Sequence, residues 1–381
     1  MEKMNALMTR FLRSPCLSTI AIPTPSPSEL LIKVAYVSLN PTDCESIPAL
    51  TWLTRWDELS NVNSCKDKHA SAVLPPSKVI GCDFSGTVTK IGRSVSPLAF
   101  KEGDRVSGII HGCKNTHTGA FAEHLVADSK LCFKLPDKIS LEKGCTFGVG
   151  WLSSLQALGQ RLFLEEGNKE TEDTLLIYSA ATNMGMHAIQ QTRAYYPTTH
   201  IIAIASEQHH LMLKQLGAHE TFDYKSSTLV DEIRALRRDI KKGIDCHSEG
   251  SSTSIAAQCM LPPSGDDLEN SGRRLIRTLP PAMGRGSVPK SVRADEWILT
   301  YTALGKPFWF FFRYYVIVPE DYTASQKCLH DLTALLEEER VVPVRHRLMS
   351  GGLAEISDGF EEMRKGLVRG EKLVYRIGGE V

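Results

Sequence analysis

Residues 175–190 read LLIYSAATNMGMHAIQ, and this stretch decides the fold. An apolar run at 175–178 is followed by a turn of small residues at 179–185 and then by a helical pattern. A strand–turn–helix unit of this kind places backbone N–H groups at a helix N-terminus, where they bind a pyrophosphate. Of the G-x-G-x-x-G fingerprint only Gly185 is present. By itself the unit therefore fits an ordinary βα turn equally well.

The segments on both sides of this unit continue an alternation of strand and helix. We predict strands at residues 174–179, 200–206 and 243–246. Helical patterns precede, separate or follow them, at residues 141–161, 184–196, 208–217 and 229–241. Alternation at this pitch is typical of a doubly wound parallel sheet, so we predict an α/β fold.

The first third of the chain has a different pattern. Residues 30–40 (LLIKVAYVSLN) form an apolar run that Pro41 ends, and residues 79–92 (VIGCDFSGTVTKIG) place glycines around a β-branched run. Short strands separated by turns indicate a small all-β barrel over about residues 28–136.

The C-terminal part contains two segments rich in Pro, Gly, Ser and charge, residues 262–274 and 280–293, which we predict to be loops. An amphipathic helix at 325–340 and a strand at 372–377 close the chain. These patterns divide the chain into residues 1–145, 146–315 and 316–381.

The charge balance excludes several classes of function. Forty-four basic and 44 acidic residues in 381 give zero formal net charge. This balance argues against a broad electrostatic footprint for nucleic acid or a membrane surface. No apolar run reaches the length of a membrane span, and Arg10 and Arg13 interrupt the N-terminal apolar stretch that a signal peptide needs. We therefore expect a cytoplasmic protein.

The ten cysteines are scattered along the chain, with no C-x-x-C pair. This spacing argues against a disulfide framework and against a structural zinc lobe. Cys82 and Asp83 are chemically able to bind a metal, but no Cys or His triplet surrounds them at suitable spacing. We interpret His111, His117 and His124 as structural and predict no metal site.

The residues after the strand at 200–206 bear on the choice of nicotinamide cofactor. An acidic residue at this place binds the ribose hydroxyl of NAD, whereas a serine and a basic group suit the 2′-phosphate of NADPH. The sequence here reads Ser206, Glu207, Gln208, His209 and His210, with Tyr224 and Lys225 farther along. Ser206, a histidine and Lys225 favour NADPH, and Glu207 weakens the case. A polar helix cap followed by exposed histidines is the alternative interpretation.

The order of several motifs resembles one enzyme superfamily. The stretches PSELLIKVAYVSLNPTD, GCDFSGTVTKIG, GDRVSG, GAFAEHLVADSKLCFKLPD, LLIYSAATNMGMHAIQ, LGAHETFDYK and GEKLVYRIG follow one another from about residue 25 to 378. They resemble the zinc-free members of the medium-chain dehydrogenase/reductase superfamily. YTALGKPF and GGLAEISDGFEEMRKGLVRGEKLVYRI are similar, more narrowly, to the trans-acting enoyl reductases that serve fungal polyketide synthases and polyketide–peptide hybrid synthases.

The resemblance implies a GroES-like β-barrel catalytic domain at residues 1–145 that residues 316–381 complete, a Rossmann-type NADPH-binding domain at residues 146–315, and a set of site residues. The implied cofactor contacts are Thr42, Asp43, Cys44, Glu45, Ala181, Thr182, Asn183, Met184, Ser206, Glu207, Gln208, His209, Tyr224, Thr278, Val368 and Arg369. The implied substrate contacts are Ser153, Ser154, Leu155, Gln156, Thr300, Tyr301, Thr302, Ala303 and Leu304. Ser153 is the candidate catalytic residue, because its hydroxyl falls where relatives carry a threonine that faces the acyl substrate.

The chain departs from the pattern of these relatives in three places. Glu45 stands where they usually have a lysine, and Ser179 and Ala180 stand where they have glycines. A carboxylate near the cofactor would repel its phosphates. Residues 50–73 (LTWLTRWDELSNVNSCKDKHASAV) also lengthen the chain between Glu45 and Gly81.

Residues 308–316 (FWFFFRYYV) are the most aromatic stretch. We interpret them as a buried or edge strand, with a wall for a long acyl chain as the alternative.

The activity that the resemblance implies is hydride transfer from NADPH to the β-carbon of an α,β-unsaturated thioester. The partner would be a polyketide synthase or polyketide–peptide hybrid synthase whose carrier domain holds the acyl chain, and we expect a monomer that binds neither nucleic acid nor membrane. Two alternatives stay open. One is a stand-alone quinone or enone reductase, and the other is a degenerate reductase that binds the synthase without turnover.

Overall fold

The structure is a computed structural model that describes residues 2–10, 13–45, 77–162, 173–262, 264, 271–310 and 313–378. The side chains of Arg13, Cys44 and Glu45 lie outside that description, as does the lengthened stretch 50–73.

The N-terminal part of the chain is built from strands. A hairpin of β1 (Lys3–Arg10) and β2 (Arg13–Ala21) is followed by β3 (Glu29–Ser38) and the short helix α1 (Pro41–Glu45). The next four strands are β4 (Asp83–Ile91), β5 (Arg105–Ile109), β6 (His124–Asp128) and β7 (Cys132–Lys134). Strand β3 pairs antiparallel with both β4 and β6. Strands β1 and β2 were not predicted from the sequence.

Helices lead from this sheet into the second half of the molecule. They are α2 (Leu141–Gly144), α3 (Gly148–Leu155) and a π-helix at Gln156–Leu162. The predicted single helix at 141–161 is therefore broken. Residues 145–147 separate α2 from α3, and the hydrogen-bonding pattern widens at Gln156.

The central sheet has six parallel strands. In chain order its elements are β8 (Thr174–Tyr178), α4 (Asn183–Tyr195), β9 (His200–Ile204), α5 (His210–Leu216), β10 (Glu220–Phe222), α6 (Leu229–Ala235), β11 (Lys242–Asp245), α7 (Ser252–Cys259), β12 (Arg273–Arg277) and β13 (Val292–Arg293). The strand order is β10-β9-β8-β11-β12-β13. Leu175, Leu176 and Ile177 are fully buried, as expected for a strand covered on both faces. The predicted doubly wound parallel sheet is confirmed.

The loop prediction for residues 262–274 and 280–293 was wrong in two places. Residues 273 and 274 already belong to β12, and residues 292 and 293 form β13, which pairs with β12 in parallel. Arg273 is buried and donates a hydrogen bond to the Met260 carbonyl. A strand can therefore contain this charged stretch, because neighbouring groups accept hydrogen bonds from the guanidinium of Arg273.

The last part of the chain returns to the first sheet. A 3₁₀ helix (Thr300–Leu304) and a hairpin of β14 (Phe308–Phe310) and β15 (Arg313–Tyr315) precede α8 (Pro319–Glu337). Then follow β16 (His346–Met349), α9 (Ile356–Arg364) and β17 (Lys372–Arg376), which pairs antiparallel with β3. Helix α8 begins six residues before the predicted start at 325, because Pro319 suits the first helical turn.

Candidate functional site

The predicted cofactor residues of the parallel sheet lie at a single edge. Each follows the carboxyl end of a strand: residues 181–184 follow β8, residues 206–209 follow β9, Tyr224 follows β10 and Thr278 follows β12. The order in which the strands follow one another reverses at β8, because β9 lies on one side of it and β11 on the other. Ligands of open α/β sheets bind outside the carboxyl ends of the strands at such a switch point.

The turn after β8 is tightly wound. The Thr182 hydroxyl caps α4 by accepting a hydrogen bond from the Gly185 N–H at 3.1 Å. A Cβ at Gly185 would lie 2.6 Å from the Ala180 carbonyl oxygen, so only glycine fits there. Ser179 has a φ of 58°, in the left-handed region that favours glycine. The turn is therefore as tight as the predicted phosphate-binding loop requires, although Ser179 and Ala180 stand in place of glycines.

The segment after β9 meets the C-terminal part of the chain. The ring of the largely buried His209 lies so close to Gly370 that a Cβ on that glycine would be 2.3 Å from it. Val368 and Arg369 immediately precede Gly370. Residues 206–209 and residues 368–369, which were predicted separately to contact the cofactor, therefore lie next to each other. Burial lowers the pKa of His209, and the charge of Arg345 lowers it further.

The rest of this edge is polar. Gln208 hydrogen-bonds the His209 ring at 3.2 Å, and Glu207 is exposed. Tyr224 is exposed as well, with the Lys225 ammonium 5.8 Å from its ring centre. The Thr278 N–H donates to the Ser248 hydroxyl at 2.9 Å, which ties the end of β12 to the loop after β11.

The predicted substrate residues come together from two distant segments. The Ser153 and Thr300 hydroxyl oxygens are 2.5 Å apart. The Gln156 amide donates to the Thr302 hydroxyl at 2.8 Å, and both groups donate to the buried carboxylate of Asp321. Asp321 was not predicted, since it stands in the first turn of α8 and no motif marks it.

Four other predicted substrate residues lie in the core or pack against it. The Ser154 hydroxyl donates to the Trp151 carbonyl at 2.9 Å within α3. Ala303 and Leu304 are buried in the hydrophobic cluster that contains Trp151, and Leu155 packs against the same cluster. Their placement indicates that these residues shape the site by packing and do not make polar contacts in it.

The cofactor segment at α1 touches the substrate segment. The Thr42 hydroxyl and the Tyr301 phenol oxygen are hydrogen-bonded at 2.5 Å, and the Cys82 sulfur lies 3.6 Å from the same phenol oxygen. The His111 ring stacks on the Tyr301 ring, with centres 3.9 Å apart. Cys82 and His111 were considered in the sequence only as metal ligands or structural residues, and the spacing gave no sign that they meet Tyr301.

A buried ion pair lies beneath this contact. The Lys372 ammonium binds the Asp83 carboxylate, and Asn40 bridges them by accepting from Lys372 at 2.9 Å and donating to Asp83 at 2.9 Å. The second Asp83 oxygen accepts the Val149 N–H at 2.7 Å. This network joins β17, β4 and α3. The lysine of the closing strand was not recognised in the sequence as its partner.

Comparison with known proteins identifies the family. The alcohol dehydrogenase GroES-like domain family matches residues 26–137. Trans-enoyl reductases of Alternaria alternata and Cordyceps militaris are 31% and 30% identical, over 94% of this chain and 94% and 93% of theirs. The chain belongs to the trans-enoyl reductases.

Solved structures show the same fold at low identity. A quinone oxidoreductase from Coxiella burnetii is 22% identical with a TM-score of 0.64, over 99% of this chain and all of its own. CurK enoyl reductase is 17% identical with a TM-score of 0.68, over 99% of both chains. The predicted GroES-like domain with a Rossmann-type sheet in a medium-chain reductase is confirmed.

A trans-enoyl reductase of this fold uses a nicotinamide cofactor, and the residues present fit one. The N-terminus of α4 lies at the carboxyl edge of the parallel sheet, and helix N-termini at this place are suited to a pyrophosphate. Beside it, both polar atoms of the Asn183 amide are buried with no hydrogen-bond partner in the described part of the chain. A buried amide left in that state is suited to a polar ligand group.

Other classes of site have little support. Among the described residues, no three His, Cys, Asp or Glu side chains are grouped as metal ligands, and the zinc-free assignment stays a prediction. Within the same residues, no helix is both long and apolar enough to cross a membrane.

Within the aromatic stretch at 308–316, strands β14 and β15 pair antiparallel and have two different faces, while residues 311 and 312 lie outside the described part of the chain. Phe308 is buried, packs edge-on against His111 and stacks on Tyr315. Trp309, by contrast, is 71% exposed. Only the Phe308 side therefore fits the interpretation of a buried strand, and this side borders the Tyr301 cluster.

Proposed function

We propose that this trans-enoyl reductase uses NADPH to reduce the α,β-unsaturated thioester of a polyketide chain held on the carrier domain of a polyketide synthase or polyketide–peptide hybrid synthase. The observation that carries the proposal is the 2.5 Å contact between Thr42, in the cofactor segment, and Tyr301, in the substrate segment. A hydride donor and an acceptor held by these segments are neighbours, which is the positioning that hydride transfer needs.

The cofactor would be held at the carboxyl edge of the parallel sheet. The α4 N-terminus would bind the pyrophosphate, and Ser206 with the positive charge of Arg345, which acts on the neighbouring His209 ring, would bind the 2′-phosphate. NADPH supplies the hydride. Ser153 and Thr300 would orient the thioester by hydrogen bonds. A monomeric state and a cytoplasmic location stay predictions from the sequence.

The test is consumption of NADPH, followed by its absorbance, with an enoyl thioester on a carrier domain or on pantetheine. The saturated thioester and a simple quinone serve as comparisons. Oxidation of NADPH with the enoyl thioester alone supports the proposal. Turnover of the quinone alone would instead favour a stand-alone quinone reductase, and NADPH binding without turnover a degenerate partner protein.

A matched pair of variants ties activity to the proposed cofactor site. Thr182→Asp keeps a cap for α4 but places a carboxylate where the pyrophosphate would lie, so NADPH binding should weaken at least tenfold. Thr182→Ser keeps the neutral hydroxyl and should bind NADPH normally. Equal NADPH affinity of both variants would place the cofactor elsewhere.

A further inference from the structure

Tyr301 is surrounded by polar groups although it lies in the protein interior. Its phenol oxygen contacts Thr42 at 2.5 Å and Cys82 at 3.6 Å, and 3% of the residue is exposed. Stacking on His111 and edge contacts with Phe308 and Phe310 fix its ring. A phenol held this firmly by packing has a defined direction for its hydroxyl.

The polar contacts continue from Tyr301 to a buried carboxyl group. Cys82 lies beside the carboxyl group of Asp43, whose Oδ2 accepts the Asn40 N–H at 2.8 Å. The other oxygen of Asp43, Oδ1, is buried with no hydrogen-bond partner in the described part of the chain. Tyr301, Cys82 and Asp43 therefore form a chain of exchangeable protons that runs into the catalytic domain.

The reaction needs a proton donor as well as a hydride donor. Addition of hydride to the β-carbon leaves an enolate, and the α-carbon must then gain a proton. Burial raises the pKa of Tyr301 well above its usual value, so the phenol stays protonated at neutral pH. Burial lowers the pKa of His111 to about 3, which leaves its imidazole neutral. The Lys372 ammonium is engaged by Asp83 and Asn40.

We propose, on the basis of the function proposed above, that the Tyr301 phenol donates this proton and that Cys82 and Asp43 replace it. The β-carbon receives the hydride, and the electrons of the double bond move to the thioester oxygen. The Tyr301 O–H bond then breaks as the new C–H bond forms at the α-carbon. The phenolate takes a proton from Cys82, which takes one from the Asp43 carboxyl, and solvent restores Asp43. Tyr301 is the catalytic residue, and Cys82 and Asp43 act through it.

Tyr301→Phe tests this role, because it keeps the ring and removes only the hydroxyl. We expect kcat for an enoyl thioester to fall roughly 100-fold, a typical loss for general acid catalysis, with the NADPH dissociation constant changed less than about twofold. With a 2-methyl enoyl thioester, the wild type should give one configuration at the α-carbon and the variant a mixture. The control is Tyr322→Phe, which also removes one phenol hydrogen bond, to Asp128 at 2.6 Å, but outside the cluster.

The outcomes separate the two proposals. A wild type that reduces no enoyl thioester contradicts the proposed function. An active wild type whose Tyr301→Phe variant keeps both kcat and a single configuration overturns the role of Tyr301. If that variant does not fold, Cys82→Ala decides. A kcat lowered several-fold with a changed solvent isotope effect supports the proton chain, and an unchanged isotope effect refutes it.

Discussion

The hydroxyl oxygens of Ser153 and Thr300 lie 2.5 Å apart although 147 residues separate them in the chain. Ser153 belongs to α3 and Thr300 to the 3₁₀ helix that follows the parallel sheet. Both residues of the pair were expected to contact the acyl substrate. Their contact brings the two predicted substrate residues to one place in the structure.

This contact predicts coupling between the two side chains. Ser153→Ala and Thr300→Ala should each destabilise the protein, and the double variant by about 1 kcal/mol less than their sum, the worth of one hydrogen bond. Urea unfolding of the four proteins measures this. Ser154→Ala is the control, since that hydroxyl bonds within its own helix. Additive effects of Ser153 and Thr300 would contradict the contact.

Ser206→Asp should change the cofactor preference. A carboxylate at this position repels the 2′-phosphate of NADPH and can accept the ribose hydroxyl of NADH. We expect NADPH affinity to fall about tenfold or more, equivalent to about 1.4 kcal/mol, with NADH affinity unchanged or improved. Fluorescence titration with both cofactors measures it. Ser227→Asp, an exposed serine in the same half of the molecule, should leave both affinities unchanged. Parallel losses for NADPH and NADH would argue against selectivity at Ser206.

Asp83→Asn should be strongly destabilising, because it leaves the Lys372 ammonium buried without a counter-charge. Removing one partner of a buried pair costs about 3–5 kcal/mol. Glu339→Gln removes the carboxylate of the exposed Lys138 pair and should leave the free energy of unfolding almost unchanged, because solvent screens that pair. Chemical denaturation compares the two variants. Similar small losses would show that Lys372 reaches solvent or another anion.

Ser179→Gly should stabilise the turn after β8. Ser179 holds a φ of 58°, which costs a residue with a side chain about 1–2 kcal/mol, partly offset by the greater flexibility of glycine in the unfolded chain. We expect a net gain of about 0.5–1 kcal/mol in the free energy of unfolding. The neighbouring Ala180→Gly, at a fully buried residue outside the left-handed region, should instead destabilise. A loss with both variants would show that the serine hydroxyl contributes more than its backbone costs.

The free energy of unfolding of the Asp43→Asn variant, relative to that of the wild type, should increase as the pH rises. Burial, with the negative charge of Asp83, raises the pKa of Asp43 from 3.8 to about 7. The folded protein therefore binds a proton that the unfolded chain releases above pH 3.8, and the wild type loses stability from there up to pH 7. Asparagine does not ionise, so the variant lacks this loss, which amounts to at most about 4 kcal/mol. Urea unfolding of both proteins measures the difference, with its value near pH 4 as the reference. A difference that stays constant with pH would place the folded pKa near that of the unfolded chain.

The alternation of strand and helix in the nucleotide-binding half was readable from the sequence. The predicted strand at 174–179 is β8, Thr174–Tyr178, and the predicted helix at 184–196 is α4, Asn183–Tyr195. These elements are marked by apolar runs and turn residues that act over a few positions. Strands β12 and β13 were not predicted because they are short and charged. Their pairing depends on the neighbouring strands of the sheet and not on a local sequence pattern.

The sequence by itself thus determined the parallel sheet, the turn after β8 and, through family resemblance, the segments that make up the site. Only the tertiary structure decided which side chains meet: Tyr301 with Thr42 and Cys82, Gln156 with Asp321, and Lys372 with Asn40 and Asp83. The physical reason is distance along the chain. Periodicity records which face of an element is buried, whereas the Lys372–Asn40 contact joins positions 332 residues apart and exists only after the closing strand has packed against β3.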